Sequence, residues 1–177
     1  LLQSMAQMSD AYDLSFASHP AGAAHYAKTG ESLPTASLEA ARDADAVLLS
    51  AMGLPDVRYA DGTEISPQID LRKAFDLFAG VRPVRIPEGG RTPLNLPVGK
   101  SVDFVLIRES TEGLFYTQGK GEVEENEARE TLRITRDTSE KLFAFAFNLA
   151  QDRRRAGLGK GRVTCVDKAN VFRAFAF

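Results

Sequence analysis

Ala46-Val-Leu-Leu-Ser-Ala51 decides the fold class, because it is a continuous apolar run with no alternation. A strand covered on both faces by helices needs that composition, whereas a strand with one wet face alternates. Immediately before it, Pro34 to Arg42 opens with Pro-Thr and continues as Ser-Leu-Glu-Ala-Ala-Arg, which predicts a helix. Earlier still, Leu14-Ser-Phe-Ala-Ser18 is a short strand candidate, and Leu1 to Met8 reads as a helix already under way. Helix and strand therefore alternate, and the expected class is α/β.

After the run, Met52 to Pro67 is rich in glycine, proline and polar residues, which predicts a long loop; such loops inside a domain usually border a site. A helix carrying Arg72 follows. Val81 to Ile86 and Val102 to Ile107 are β-branched strand candidates around the turn-rich stretch Pro87 to Pro93, and a domain boundary is expected near residue 80. Residues 113 to 127 have several glycines and glutamates and no steady apolar period, which predicts an exposed arm or hairpin. Asp137-Thr-Ser-Glu140 is the expected cap of the next helix, whose residues Leu142, Phe143, Phe145, Ala146 and Leu149 form a stripe expected to be buried. Arg153, Arg154 and Arg155 suit that helix's C-terminus, and Gly157 to Gly161 ends it. Arg162 to Val166 is a final strand candidate, leading through Lys168 and Asn170 toward another helix.

Composition narrows the function. Among 177 residues, 22 basic and 24 acidic side chains are interspersed for a net charge of −2, so neither nucleic acid nor a membrane surface is an expected partner. No apolar run approaches the ~20 residues that span a bilayer, and a single cysteine makes no internal disulfide. A cytoplasmic location fits. His19 and His25 have no carboxylate or cysteine at metal-ligand spacing, and no GxGxxG, P-loop or GxSxG motif is present. Cys165, in mid-strand, is expected to be inert core.

Arginines and one lysine carry the chemical signal. A guanidinium is a planar fork of donors that matches a carboxylate, so Arg72, Arg82 and Arg108 converging on one cleft would hold a dicarboxylic acid. A lone arginine is ordinarily a solvated surface charge, and Arg72 on an amphipathic helix fits that bland reading. Arg108 fits it less well. It closes an apolar strand, and ligands bind at the carboxyl ends of parallel strands. Lys168 follows a strand candidate in the same way, and a lysine in a dry cationic cleft can act as a base; otherwise it is a surface lysine at a helix start.

Five segments, DADAVLLSAMG (43–53), LRKAFDLFAGVRPVR (71–85), VLIRESTEGLF (105–115), TLRITR (131–136) and VDKANVF (166–172), occur in an order and spacing that resembles the isocitrate/isopropylmalate dehydrogenase family of β-decarboxylating dehydrogenases. The resemblance implies a two-domain isopropylmalate dehydrogenase-like fold. Residues 1–80 would be part of its large α/β domain, and 81–177 most of its small dimerisation domain, with an arm at about 113–136 and a truncated C-terminus. It implies a homodimer that oxidises and decarboxylates a malate-type (2R)-hydroxy acid with NAD or NADP and magnesium or manganese. Carried over by motif, Arg72, Arg82 and Arg108 bind the carboxylates, Lys168 from the partner subunit takes the hydroxyl proton, and Asn170 lies beside the nicotinamide.

The sequence departs from the family pattern in three ways. Phe115 stands where the family has its catalytic tyrosine, leaving neighbouring Tyr116 as the substitute if its hydroxyl turns inward. The first strand, the metal-binding aspartates and the adenosine loop fall outside the sequence, which reads as part of a longer chain. Ser66 and Gln68 stand where isopropylmalate enzymes place aliphatic residues, favouring a polar or absent C3 substituent and so malate, tartrate or isocitrate-like acids. A non-catalytic relative, serving as a regulatory or interaction subunit, is the alternative that Phe115 and the missing segments suggest.

Overall fold

A computed structural model describes residues 2–8, 11 and 13–175; Leu1 and residues 176–177, the outer ends of the two terminal helical readings, lie outside them. In chain order the elements are α1 (Leu2–Ala6), α2 (Ala23–Thr29), α3 (Thr35–Asp43), α4 (Pro67–Ala74), β1 (Ala79–Ile86), β2 (Val102–Glu109), β3 (Glu122–Val123), β4 (Ala128–Arg129) and α5 (Arg136–Arg155). Two compact units, residues 1–71 and 72–177, divide the chain inside α4.

In the first unit the buried apolar side chains are Ala23, Ile65 and Leu71, with Pro67 also fully buried. Gly22 opens α2 at φ 90°, and a Cβ there would lie 2.8 Å from the Met52 carbonyl oxygen, which accepts the Ala23 amide at 2.8 Å. Only glycine lets the backbones approach so closely. The long loop is held by bonds within it and by contacts of Tyr59 with residues far earlier in the chain. Tyr59 donates its hydroxyl to Ser32 Oγ (2.7 Å) and its ring meets Tyr26 edge-on at 5.1 Å. The Thr63 amide donates to the Asp61 carboxylate at 2.8 Å, and this bond holds the carboxyl below its ordinary pKa.

In the second unit β1 and β2 form an antiparallel hairpin in which Gly80 faces Arg108, Arg82 faces Leu106 and Ile86 faces Val102. Pro83 has no amide to donate and is tolerated because a two-stranded sheet has only edges. Helix α5 is tied to β2 at both ends. Near its start Glu112, just beyond β2, accepts from Thr135, and near its end Arg153 pairs with Asp103. Helix and strand thus run antiparallel.

Several expected elements are absent. Ala46–Ala51 is not a strand and pairs with no other segment among the described residues, and Leu48 is 80% exposed. Neither Leu14–Ser18 nor Arg162–Val166 is a strand, and Cys165 is exposed rather than core. An apolar run becomes a strand only where a neighbour answers its N–H and C=O groups, and no such neighbour lies among the described residues. The α5 cap is Thr135, whose hydroxyl accepts the Thr138 amide; the capping stretch expected at residues 137–140 lies inside the helix. Leu142, Phe145, Ala146 and Leu149 are half-buried, while Phe143 is exposed. The arm is a short hairpin, β3 against β4, whose Arg129 pairs with Glu122, Glu124 and Glu127.

Candidate active site

The hairpin register decides where two of the arginines stand. Directly opposed residues share a face of a sheet and successive residues alternate. The Gly80–Arg108 and Arg82–Leu106 pairs therefore put Arg82 and Arg108 on one face as diagonal neighbours, roughly 7–8 Å apart with their Cβ atoms somewhat closer. Asp103, bound to α5 through Arg153, is on the other face. Gly80 opposite Arg108 leaves room: a Cβ there would come within 3.1 Å of the Arg108 carbonyl and of Ser110 Oγ. Arg108 closes an antiparallel strand, so the expected position at the end of a parallel strand is corrected; what presents it is the hairpin face.

Beyond β2 the chain turns on its own carboxylates. Glu109 accepts the Thr111 amide and hydroxyl, both at 2.5 Å, and the Glu112 amide at 2.9 Å. Glu112 is buried and accepts the Thr135 amide and hydroxyl, both at 2.8 Å, and Arg133 Nη2 at 3.5 Å. Backbone bonds between Gly113 and Arg133, 2.8 and 3.3 Å, add to this clamp. Leu114–Tyr116 then forms a single 3-10 turn, not a strand, so the two neighbouring rings differ by about a third of a turn and not by opposite faces. The Arg108 guanidinium lies over the Phe115 ring at 5.8 Å. The Tyr116 ring is covered by Arg133 at 3.5 Å and approached by Lys120 at 5.7 Å. Phe115, not Tyr116, is the ring beside the arginine.

The other candidates lie on other segments of the chain. Arg72 is half-buried on α4, four residues after Gln68, a spacing that puts both on one helix face. Gln68 Oε1 is buried with no hydrogen-bond partner among the described residues, and Ser66 Oγ donates to the Glu64 carbonyl at 3.3 Å. Lys73, next to Arg72, donates to Gln118 at 3.2 Å at the base of the arm. Lys168 and Asn170 are exposed; the Lys168 carbonyl accepts the Val171 and Phe172 amides at 3.0 and 2.9 Å, closing one turn. No hydrogen bond among the described residues joins them to the arginines within this chain. Among the described residues no three His, Cys, Asp or Glu side chains cluster as a metal site. Glu109, Glu112, Thr135 and Arg133, which shape the surroundings of Arg108, are not evident in the sequence, because nothing local marks a glutamate for burial.

The whole arrangement has counterparts. Residues 1–176 match the model of the isocitrate/isopropylmalate dehydrogenase family. The chain belongs to that family. It is 37% identical over 153 residues to a 3-isopropylmalate/3-methylmalate dehydrogenase of Methanocaldococcus jannaschii, covering 86% of this chain and 41% of the relative. It is 38% identical over 157 residues to a 3-isopropylmalate dehydrogenase of Listeria monocytogenes, covering 87% and 43%. Among solved structures, an isocitrate dehydrogenase from Methylococcus capsulatus superposes with a TM-score of 0.60 at 31% identity, covering 86% of this chain and 42% of that one. The TT0538 protein of Thermus thermophilus gives 0.65 at 27% identity, covering 92% and 32%. The class is α/β, and this family member carries part of the two-domain dehydrogenase fold, spanning about two fifths of the curated relatives it matches.

Proposed function

We propose that the natural protein oxidises and decarboxylates a malate-type (2R)-hydroxy acid with NAD or NADP and magnesium or manganese, as a cytoplasmic homodimer. The observation that carries this reading is the register that sets Arg82 and Arg108 on one face of the hairpin, neither of them spent on an ion pair among the described residues. Two guanidinium forks at that separation suit an acid with two carboxylates, fixing both its position and the direction of its C2 hydroxyl. Arg72 is the third carboxylate ligand in this reading. The unpartnered Gln68 Oε1, with Ser66 before it, favours a hydroxyl or carboxyl over an isopropyl group on C3.

In this mechanism the arginines bind and orient the acid, and the Lys168 amine, reaching in from the partner subunit, accepts the C2 hydroxyl proton as the carbonyl forms. Asn170 stands beside the nicotinamide. A nicotinamide supplies a hydride acceptor for such chemistry and a divalent cation the charge that steadies an enolate. The described residues form no cluster of metal-ligating side chains, and the sequence has no GxGxxG or P-loop motif. Phe143 and Phe147, four residues apart on α5 and both exposed, suit the proposed partner subunit. Phe115, with no hydroxyl beside Arg108, favours a second reading: a non-catalytic relative that binds the acid in a regulatory or interaction role.

Cofactor reduction separates them. Full-length protein supplied with manganese, NAD or NADP and D-malate, D-tartrate or isocitrate should produce reduced nicotinamide, and Lys168→Ala should abolish this while the acid still binds. Binding without turnover in the wild type would leave the second reading standing.

A further inference from the structure

We propose that Glu112 is a positioning residue, holding Arg108 and Phe115 in the geometry that receives the substrate. The inference rests on the proposed role of Arg108 and assigns a function to a side chain outside the binding set. A carboxylate is costly to bury unless its oxygens are met by donors. Glu112, 8% exposed, meets three: the Thr135 amide and hydroxyl at 2.8 Å each and Arg133 Nη2 at 3.5 Å. Those donors lie at the cap of α5 and just before it, so one side chain joins the loop after Arg108 to the helix whose Arg153 pairs with Asp103 on the opposite face of the hairpin.

The path from Glu112 back to Arg108 is bonded throughout. Ser110 Oγ donates to the Arg108 carbonyl at 3.3 Å, and Glu109 gathers the Thr111 and Glu112 amides. Going forward, the Glu112 carbonyl accepts the Phe115 amide at 3.3 Å and starts the turn that carries the ring over to the Arg108 guanidinium, 5.8 Å away. Arg108 and Phe115 are therefore two ends of one closed loop, and Glu112 is the anchor between them. Glutamine at 112 keeps the size but puts an N–H₂ group against the Thr135 amide, on Oε2, or against the Thr135 hydroxyl and Arg133, both on Oε1, so the anchor is lost without a cavity.

The test uses full-length protein with D-malate or D-tartrate, whichever it oxidises better. Glu112→Gln should raise KM about tenfold while leaving kcat within about twofold, since the arginine is misplaced and the reacting groups are untouched. Thr135→Val, which removes one of the three donors and is the milder change, should move KM the same way by a smaller factor. A role confined to stability would lower the melting temperature and the active fraction with KM unchanged, and that result overturns the proposal. If the wild type oxidises no acid, the functional reading fails, yet positioning is still read from the Arg108 Nε–Hε resonance. It should shift and broaden in Glu112→Gln relative to wild type, and an unmoved resonance overturns the proposal.

Discussion

Replacing Arg108 with lysine keeps the charge and removes the fork. A lysine ammonium still attracts a carboxylate but satisfies it as a point charge, so one of two charge-assisted hydrogen bonds is lost. Bonds of that kind contribute about 1.5–3 kcal/mol, and because Arg108 is exposed in the described chain the lower part of that range applies. The contact with Phe115, 5.8 Å from guanidinium carbon to ring centre, adds about 0.5 kcal/mol of platform that lysine keeps only in part. Together these give about 2 kcal/mol, which at roughly 1.4 kcal/mol per decade is about a thirtyfold rise in KM for the oxidised acid. The assay is steady-state nicotinamide reduction by the full-length protein across acid concentrations, for wild type, Arg108→Lys, Arg82→Lys and the double variant. If both forks grip one acid from the same hairpin face, the two changes should be coupled, because the substrate shifts to suit whichever fork remains. A KM for Arg108→Lys within twofold of wild type would refute the reasoning. Strict additivity would refute the shared ligand while sparing each arginine's separate role.

Gln68→Leu supplies the aliphatic surface an isopropyl group needs and removes an orphaned acceptor, so the kcat/KM ratio of 3-isopropylmalate to D-malate should rise by roughly tenfold or more; an unchanged ratio excludes Gln68 from specificity. Thr135→Ala deletes the hydroxyl that accepts the Thr138 amide and should cost about 1 kcal/mol in chemical denaturation, with the Glu112 contact adding to it. Lys141 has its pKa raised above the ordinary 10.5, first by its hydrogen bond to Asp76 and then by that residue's charge. A raised folded pKa means the contribution is complete below the unfolded value and is lost as pH climbs through the folded one. Wild type should therefore melt slightly above Lys141→Met at neutral pH, converge with it under strongly alkaline conditions, and lose part of the difference in high salt because the pair is exposed.

Elements whose cause is local were legible in the sequence. The α3 and α4 helices, the two β-branched strands expected at 81–86 and 102–107 and found at 79–86 and 102–109, a hairpin that begins in the segment expected as an arm and reaches Arg129, and the glycine stop after α5 all follow from periodicity and turn chemistry within a few residues. Ala46–Ala51 and Arg162–Val166 were legible only as apolar runs, because pairing depends on a neighbour far away in sequence, and none stands beside them among the described residues. Cys165 is exposed for the same reason. The α5 cap was misplaced from Thr135 to the stretch that opens at Asp137, because threonine and aspartate are both good local cap residues and Thr135 is the one held by Glu112, twenty-three residues away.

The site divides along the same line. By itself the sequence determined the family, since the ordered motifs are written in it, and it supplied Arg72, Arg82, Arg108, Lys168 and Asn170 as the candidates of the proposed site. Only tertiary structure decided that Arg82 and Arg108 share a face, that Phe115 and not Tyr116 lies against Arg108, and that a buried Glu112 ties this loop to α5. A register is set by long-range pairing and a buried carboxylate by donors brought from elsewhere in the chain, and neither leaves a mark on the residues beside it.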